Sequence, residues 1–339
     1  MFFCTFAPSL ALILFPFPIM LSRRHLRVKV LQAIYAYFQA GNQDLYQGEK
    51  QLMLSINKLY ELFIWQLSFF IELTRFAENR IEDNKKKHFP TAEDLDPNMR
   101  FINNSLLQTL SNNKDFKRYE SLYKINWGED QEVVRKFYHQ MRETPEYQKY
   151  MQAEKDDFAN DKKLLIQLIE RYFAEQDLLE SFYEEKSIYF VDDYHLVSYL
   201  LIKFFKGLDE DFNEFTAMPH ILKTANEEDN EDLDFVKKLF RNSIIKGEEY
   251  ASMVAATTAN WEQDRIAVMD MLILKMALAE IFTFRSIPIK VSMNEYIDIS
   301  KFFSTPRSKI FVNGVLDRLI QTLKAEGKII KTGRGLLES

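Results

Sequence analysis

The chain has 339 residues, 47% hydrophobic and 14% aromatic, with 9 glycines and 9 prolines; it is too apolar for a disordered protein and too poor in turn residues for a many-stranded β architecture. A net charge of −6 excludes a surface that is positive all over, so any nucleic-acid site must be local. The single cysteine, Cys4, leaves no material for disulfides, zinc clusters or thiol catalysis and fits a reducing cytoplasm.

Residues 1–19 carry no charge. They lack the basic start and small-residue cleavage site of a secretory signal, and Pro8, Pro16 and Pro18 interrupt them, so they suit neither a signal peptide nor a membrane span. They are read as a doubtful leader or mis-assigned start, with the working chain beginning at Met20.

From Leu21 the pattern turns helical. Leu26, Val30, Ala33, Ile34, Tyr37 and Phe38 fall on one side of a helix that ends near Gly41. Leu52, Ile56, Leu59, Phe63, Leu67, Phe70, Leu73 and Phe76 predict a second, long helix from Leu45 to about Lys87. Residues 89–161 are polar, rich in Asn and Lys, and are expected to form helices on an exposed excursion. Two further helices are expected at Lys162–Glu185 and Tyr194–Gly207. The acidic run Asn226–Asp234 is read as a solvated connection, and a domain boundary is placed there.

Beyond it, "FVKKLFRNSIIKGEEYASMVAATTANW" gives one helix and a second short one. The stretch "DRIAVMDMLILKMALAEIFTF" is apolar on nearly every side, with Asp270, Lys275 and Glu280 inside it, as expected of a helix wrapped by others. Those charges argue against a membrane span. In "SMNE", Ser292 and Glu295 read as a capping box after Pro288. Thr305 and Pro306 restart the chain as an N-cap and first-turn pair, and Phe311, Val315, Leu316, Leu319, Ile320 and Leu323 define a last helix that Gly327 can end. Residues 327–339 are expected to be a flexible tail. With no hairpin chemistry and no repeat, the chain reads as all-α.

Catalysis has little support. The histidines (His25, His88, His139, His195, His220) are scattered, no metal-ligand spacing or phosphate-cradling loop is present, and the acidic pairs Asp156/Asp157 and Asp192/Asp193 point about 100° apart on a helix. Neither cofactor nor metal is expected. At about 100° per residue Arg23, Arg27 and Arg24 share an arc of about 100°, which partly overlaps the apolar stripe of their helix. Converging guanidiniums suit phosphates and unpaired bases; they also serve simply as solvated terminal charges. For them to be free, the first turn must project beyond the bundle.

The stretch "RRHLRVKVLQAIYAYFQ" resembles the arginine-rich opening of the NusB transcription antitermination family. "IPIKVSMNEYIDISKFFSTPRSKIFVNGVLDRL" is similar to that family's closing signature, with Asn294-Glu295 and Phe311-Val312-Asn313-Gly314-Val315-Leu316-Asp317 agreeing in type, order and separation. "AVMDMLILKMALAEIF" resembles the helix before it. Two departures are His25 in place of a third arginine and Arg307 where the family carries an acidic residue. The resemblance implies two helical bundles: residues 20–230 as the N-terminal one, enlarged by a helical insertion, and residues 231–326 as the C-terminal one. It further implies a non-enzymatic, cytoplasmic factor that binds boxA-type RNA of nascent ribosomal transcripts. Its partners would be the small-subunit ribosomal protein NusE and the transcription elongation complex, with no membrane. Carried onto this chain, RNA would meet Arg23, Arg24 and Arg27, then Lys290, Lys309, Phe311 and Asn313, Phe311 being equally readable as core. The competing readings are a protein-interaction scaffold and a NusB-like accessory module for ribosomal RNA modification.

Overall fold

The computed structural model describes residues 21–41, 44–154, 157–173, 177–222, 230–258 and 266–337; residues 1–19 and Met20 lie outside them. Among the described residues there is no strand, in keeping with the all-α reading. In chain order the helices are α1 (Arg23–Gln39), α2 (Leu45–Lys85), α3 (Ala92–Leu95), α4 (Ser105–Asn112), α5 (Lys114–Leu122), α6 (Gln131–Arg142), α7 (Pro145–Met151) and α8 (Phe158–Leu168). They continue with α9 (Asp177–Lys186), α10 (Tyr194–Gly207), α11 (Glu231–Ile245), α12 (Gly247–Thr257), α13 (Val268–Thr283), α14 (Ile289–Phe303) and α15 (Ser308–Ala325). No helix among them is long and apolar enough to cross a membrane.

The chain divides differently from the expected boundary at the acidic run. One unit is residues 57–221; the other joins residues 20–56 to residues 222–339, so α2 gives Leu45–Ile56 to the second and its remainder to the first. The reason lies in α1, whose buried Val30, Leu31 and Ile34 make it pack on α11 and α13. Tyr37 meets Phe240 edge-on at 6.1 Å. Gly48 lets α2 pass these rings, since a Cβ there would lie 2.8 Å from Tyr37 and 2.9 Å from Phe240.

Residues 89–161, expected to be an exposed excursion, instead belong to the unit 57–221, which has its own aromatic core. Phe70 stacks on Phe173 at 5.0 Å, Phe69 meets Phe137 at 5.1 Å, and Trp127 lies 5.1 Å from both Trp65 and Phe182. The polar composition that suggested exposure is used on caps. Buried Asn104 accepts from Leu107 N at 3.1 Å, and buried Asn113 accepts from Phe116 N at 2.8 Å. Short helices need many caps, and many caps need many asparagines and threonines.

In the other unit α13 is the wrapped helix that its composition predicts, and each of its charges is tied to a different neighbour. Asp270 accepts from Ser308 at the start of α15, Lys275 lies 3.7 Å from Glu248 on α12, and Glu280 holds Arg27 of α1. A charge inside such a helix needs a partner, and these partners pin the surrounding helices.

Three local expectations change. Ser292 is not a cap: α14 begins at Ile289 after Pro288, and Ser292 is buried in its body, donating to Glu280 at 2.7 Å. The chain after Gly327 (φ +65°) is docked at Lys331, Thr332 and Gly335. Buried Lys331 donates to the carbonyls of Ile281 and Phe284 at 2.8 and 3.1 Å, covering the C-terminal end of α13, and Thr332 N donates to Arg285 O at 3.0 Å. Nor does Thr305 cap the last helix: α15 begins at Ser308 with Arg307 at its N-cap position and no side-chain cap there, and Ser308 Oγ accepts from Thr305 N at 3.1 Å just ahead of it.

Candidate nucleic-acid interface

Helix α1 opens on Ser22, which caps the N–H of His25, and then sends three arginines toward carboxylates. Arg27 is buried, since it lies on the same stripe as Leu31 and Ile34. Its Nε and Nη2 each donate to Glu280 at 2.7 Å, and Nη1 donates to Glu295 at 3.3 Å. Tyr296 and Ser292 add donors to Glu280 at 2.9 and 2.7 Å. Burial opposes the Arg27 charge, but the hydrogen bonds and attraction of Glu280 outweigh it and hold the guanidinium above its ordinary value. Arg27 is thus enclosed by protein, and the first turn does not project beyond the bundle.

Arg24 is half-exposed. Its fork reaches Glu295 at 2.9 and 2.8 Å and Asp298 at 3.0 Å, and the Glu295 hydrogen bonds raise its pKa against a small burial penalty. Asp298 is held below the usual carboxylate range, first by Lys301, against burial, and then by Arg24. Arg23 lies 4.7 Å over the Phe235 ring and 3.8 and 3.9 Å from Glu231 and buried Asp232. The end of the acidic run therefore contributes to this site, for which its negative charge was the one signal along the chain. The three arginines converge, as their spacing predicts, but five carboxylates (Glu231, Asp232, Glu280, Glu295, Asp298) converge with them.

The remaining candidates are arranged otherwise. Lys290 is exposed near the start of α14, about 140° around that helix from Glu295. Lys309 and Asn313 are exposed and share one face of α15; Phe311, half-buried, lies on the other side. Asn313 donates to Asp317 at 3.5 Å. Lys290, Arg307 and Lys309 have no ion-pair partner among the described residues. Helices α1 and α15 both pack on α13, which places the two candidate groups on one scaffold.

The family model described as NusB matches residues 201–321. The transcription antitermination protein NusB of Salinibacter ruber (strain DSM 13855 / M31) is 40% identical over 121 residues, 36% of this chain and 76% of that protein. The chain belongs to the NusB family. The NusB protein of Chloroherpeton thalassium (strain ATCC 35110 / GB-78) is 37% identical over 105 residues, 31% of this chain but half of that relative's length. That of Alkaliphilus oremlandii (strain OhILAs) is 29% identical over 114 residues, 34% and 81% of the two chains. No solved structure matches the chain at a significant level. The NusB match takes in α11 to α14 and most of α15, whereas α1 with its arginines and most of the unit 57–221 lie outside it.

Proposed function

We propose that the chain is an RNA-binding transcription antitermination factor. It acts in the cytoplasm on boxA-type RNA of nascent ribosomal transcripts, pairs with a small-subunit ribosomal protein of the NusE type and joins the transcription elongation complex. What carries this reading is NusB membership over residues 201–321 combined with exposed, uncompensated Lys290, Arg307 and Lys309 on the matched helices. On this reading Lys290, Arg307 and Lys309 meet phosphates. Asn313 offers an amide beside Lys309, and Phe311 flanks the path from the edge of the core. Arg23 and Arg24 exchange part of their carboxylate contacts for phosphate when RNA arrives. Arg27 acts as a positioning residue that fixes the tip of α1. No step of this function requires catalysis.

A second reading, a protein-interaction scaffold, is favoured by one observation: residues 57–221 form a unit with its own core, almost all of it outside the family match. A fluorescence-anisotropy titration with boxA-type single-stranded RNA separates the two. Neutralising Lys290, Arg307 and Lys309 to Gln together is expected to cut affinity at least tenfold and to lower the salt slope by roughly two. Affinity no better than for scrambled RNA would favour the scaffold.

A further inference from the structure

Within the unit 57–221, a cleft of about 740 Å³ opens between the end of α2, the α3 region, the end of α6 and α7. Its volume lies in the range of small-molecule sites. Unlike most such sites it is walled mainly by polar groups. Arg80 and Arg142 both line it, and neither has a carboxylate partner among the described residues. Arg80 instead places Nη1 3.0 Å from Nε2 of His139. Lys87, the third cation, is already matched by Asp94 at 3.1 Å. The site therefore holds two uncompensated guanidiniums, and Glu93 and Glu143 are the carboxylates left against them.

Burial, then the charges of Arg80, Arg135 and Arg142, hold His139 below its ordinary value, and only Glu143 acts the other way. The amides of Asn84, one helical turn beyond Arg80 on α2, and of Gln148 and Gln152 also line the cleft, with no side-chain partner among the described residues. Tyr138 and Tyr147, both largely buried, also line it. Guanidinium forks select phosphate oxygens; free amides suit the edges of a base, and tyrosine rings suit its face.

We infer that this cleft binds a nucleoside 5′-phosphate, with Arg80 and Arg142 on the phosphomonoester and the amide wall on the nucleoside. This site is separate from the NusB-matched helices and does not depend on the function proposed for them. The same chemistry is presented by a free nucleotide and by the 5′-phosphorylated end of an RNA.

The test is isothermal titration calorimetry of the full chain with guanosine and adenosine 5′-monophosphates, the unphosphorylated nucleosides, and a trinucleotide with and without its 5′-phosphate. At least one monophosphate or the phosphorylated trinucleotide is expected to bind about tenfold or more tightly than its unphosphorylated form. Arg142→Gln, an exposed change, is expected to remove most of that difference, and Arg80→Gln to do the same with the helical circular dichroism unchanged. Tighter binding of the phosphorylated trinucleotide assigns the site to RNA ends; equal or tighter binding of a mononucleotide assigns it to free nucleotides. Equal binding with and without phosphate, no binding at millimolar concentration, or undiminished binding by Arg142→Gln overturns the proposal.

Discussion

Arg27 and Glu280 face each other inside the unit that contains α1 and α13, joined by two hydrogen bonds of 2.7 Å with both side chains sealed from solvent. Glu280 also accepts from Ser292 and Tyr296, so one carboxylate gathers donors from α1 and α14 onto α13. Removing one member of such a pair strands the other. Glu280→Gln is expected to destabilise the protein by about 3–5 kcal/mol in chemical denaturation. The double variant Arg27→Met/Glu280→Leu should lose clearly less than the two single losses combined, because neither charge is left alone. Additive losses would refute the coupling.

Arg24 is the arginine whose partners can be relaxed without opening the core, since Asp298 is part-exposed and also has Lys301 as a partner. Asp298→Asn removes one competitor for its guanidinium. If Arg24 meets RNA, affinity for boxA-type RNA in low salt should rise severalfold, about 1 kcal/mol, with a steeper salt dependence. Unchanged affinity in the anisotropy titration would remove Arg24 from the RNA path.

Burial pushes Lys331 from an ordinary 10.5 down to about 8, against the pull of Glu280. Between those values the unfolded chain binds more protons than the folded one, so the contribution of this group to stability rises with pH across that window and is constant below it. From about pH 8 to about pH 9.5, before tyrosines begin to ionise in the unfolded chain, the melting temperature of the native chain should climb relative to Lys331→Met. A flat or falling difference between the two melting curves would contradict the burial of this amine.

Gly335 sits against the backbone of Arg285, where an added Cβ would lie 2.0 Å from the carbonyl oxygen. A backbone atom cannot yield as a side-chain tip can. Gly335→Ala is therefore expected to lift the tail off α13 and to lose the Thr332 N–H to Arg285 bond. Hydrogen exchange at Thr332 should accelerate while the amides of α2 keep their protection; unchanged protection at Thr332 would show that the tail is not held here.

Buried Asn113 caps α5 and donates to the carbonyls of Asn213 and Thr216 at 3.0 and 2.8 Å. Asn113→Ala loses the cap and leaves both carbonyls without this donor, an expected cost of about 2 kcal/mol or more by urea denaturation. A loss under half a kcal/mol, roughly the surface-substitution level, would mean that water replaces all three bonds.

Local periodicity was enough for much of this protein. The spacing of apolar residues determined that α1, α2, α10, α13 and α15 are helices, and the apolar girth of α13 determined that it is wrapped by others, because both follow from residues a few positions apart. The burial of Arg27 was also implicit, since it shares a stripe with Leu31 and Ile34. Sequence could say that Glu280 needs a partner but not that the partner is Arg27, some 250 positions away. Which unit α1 joins, that asparagines of the middle region are caps rather than surface, and that Lys331 closes the end of α13 were decided by tertiary packing alone. A buried charge or an unsatisfied carbonyl sets a requirement along the chain, and only the fold chooses the group that meets it.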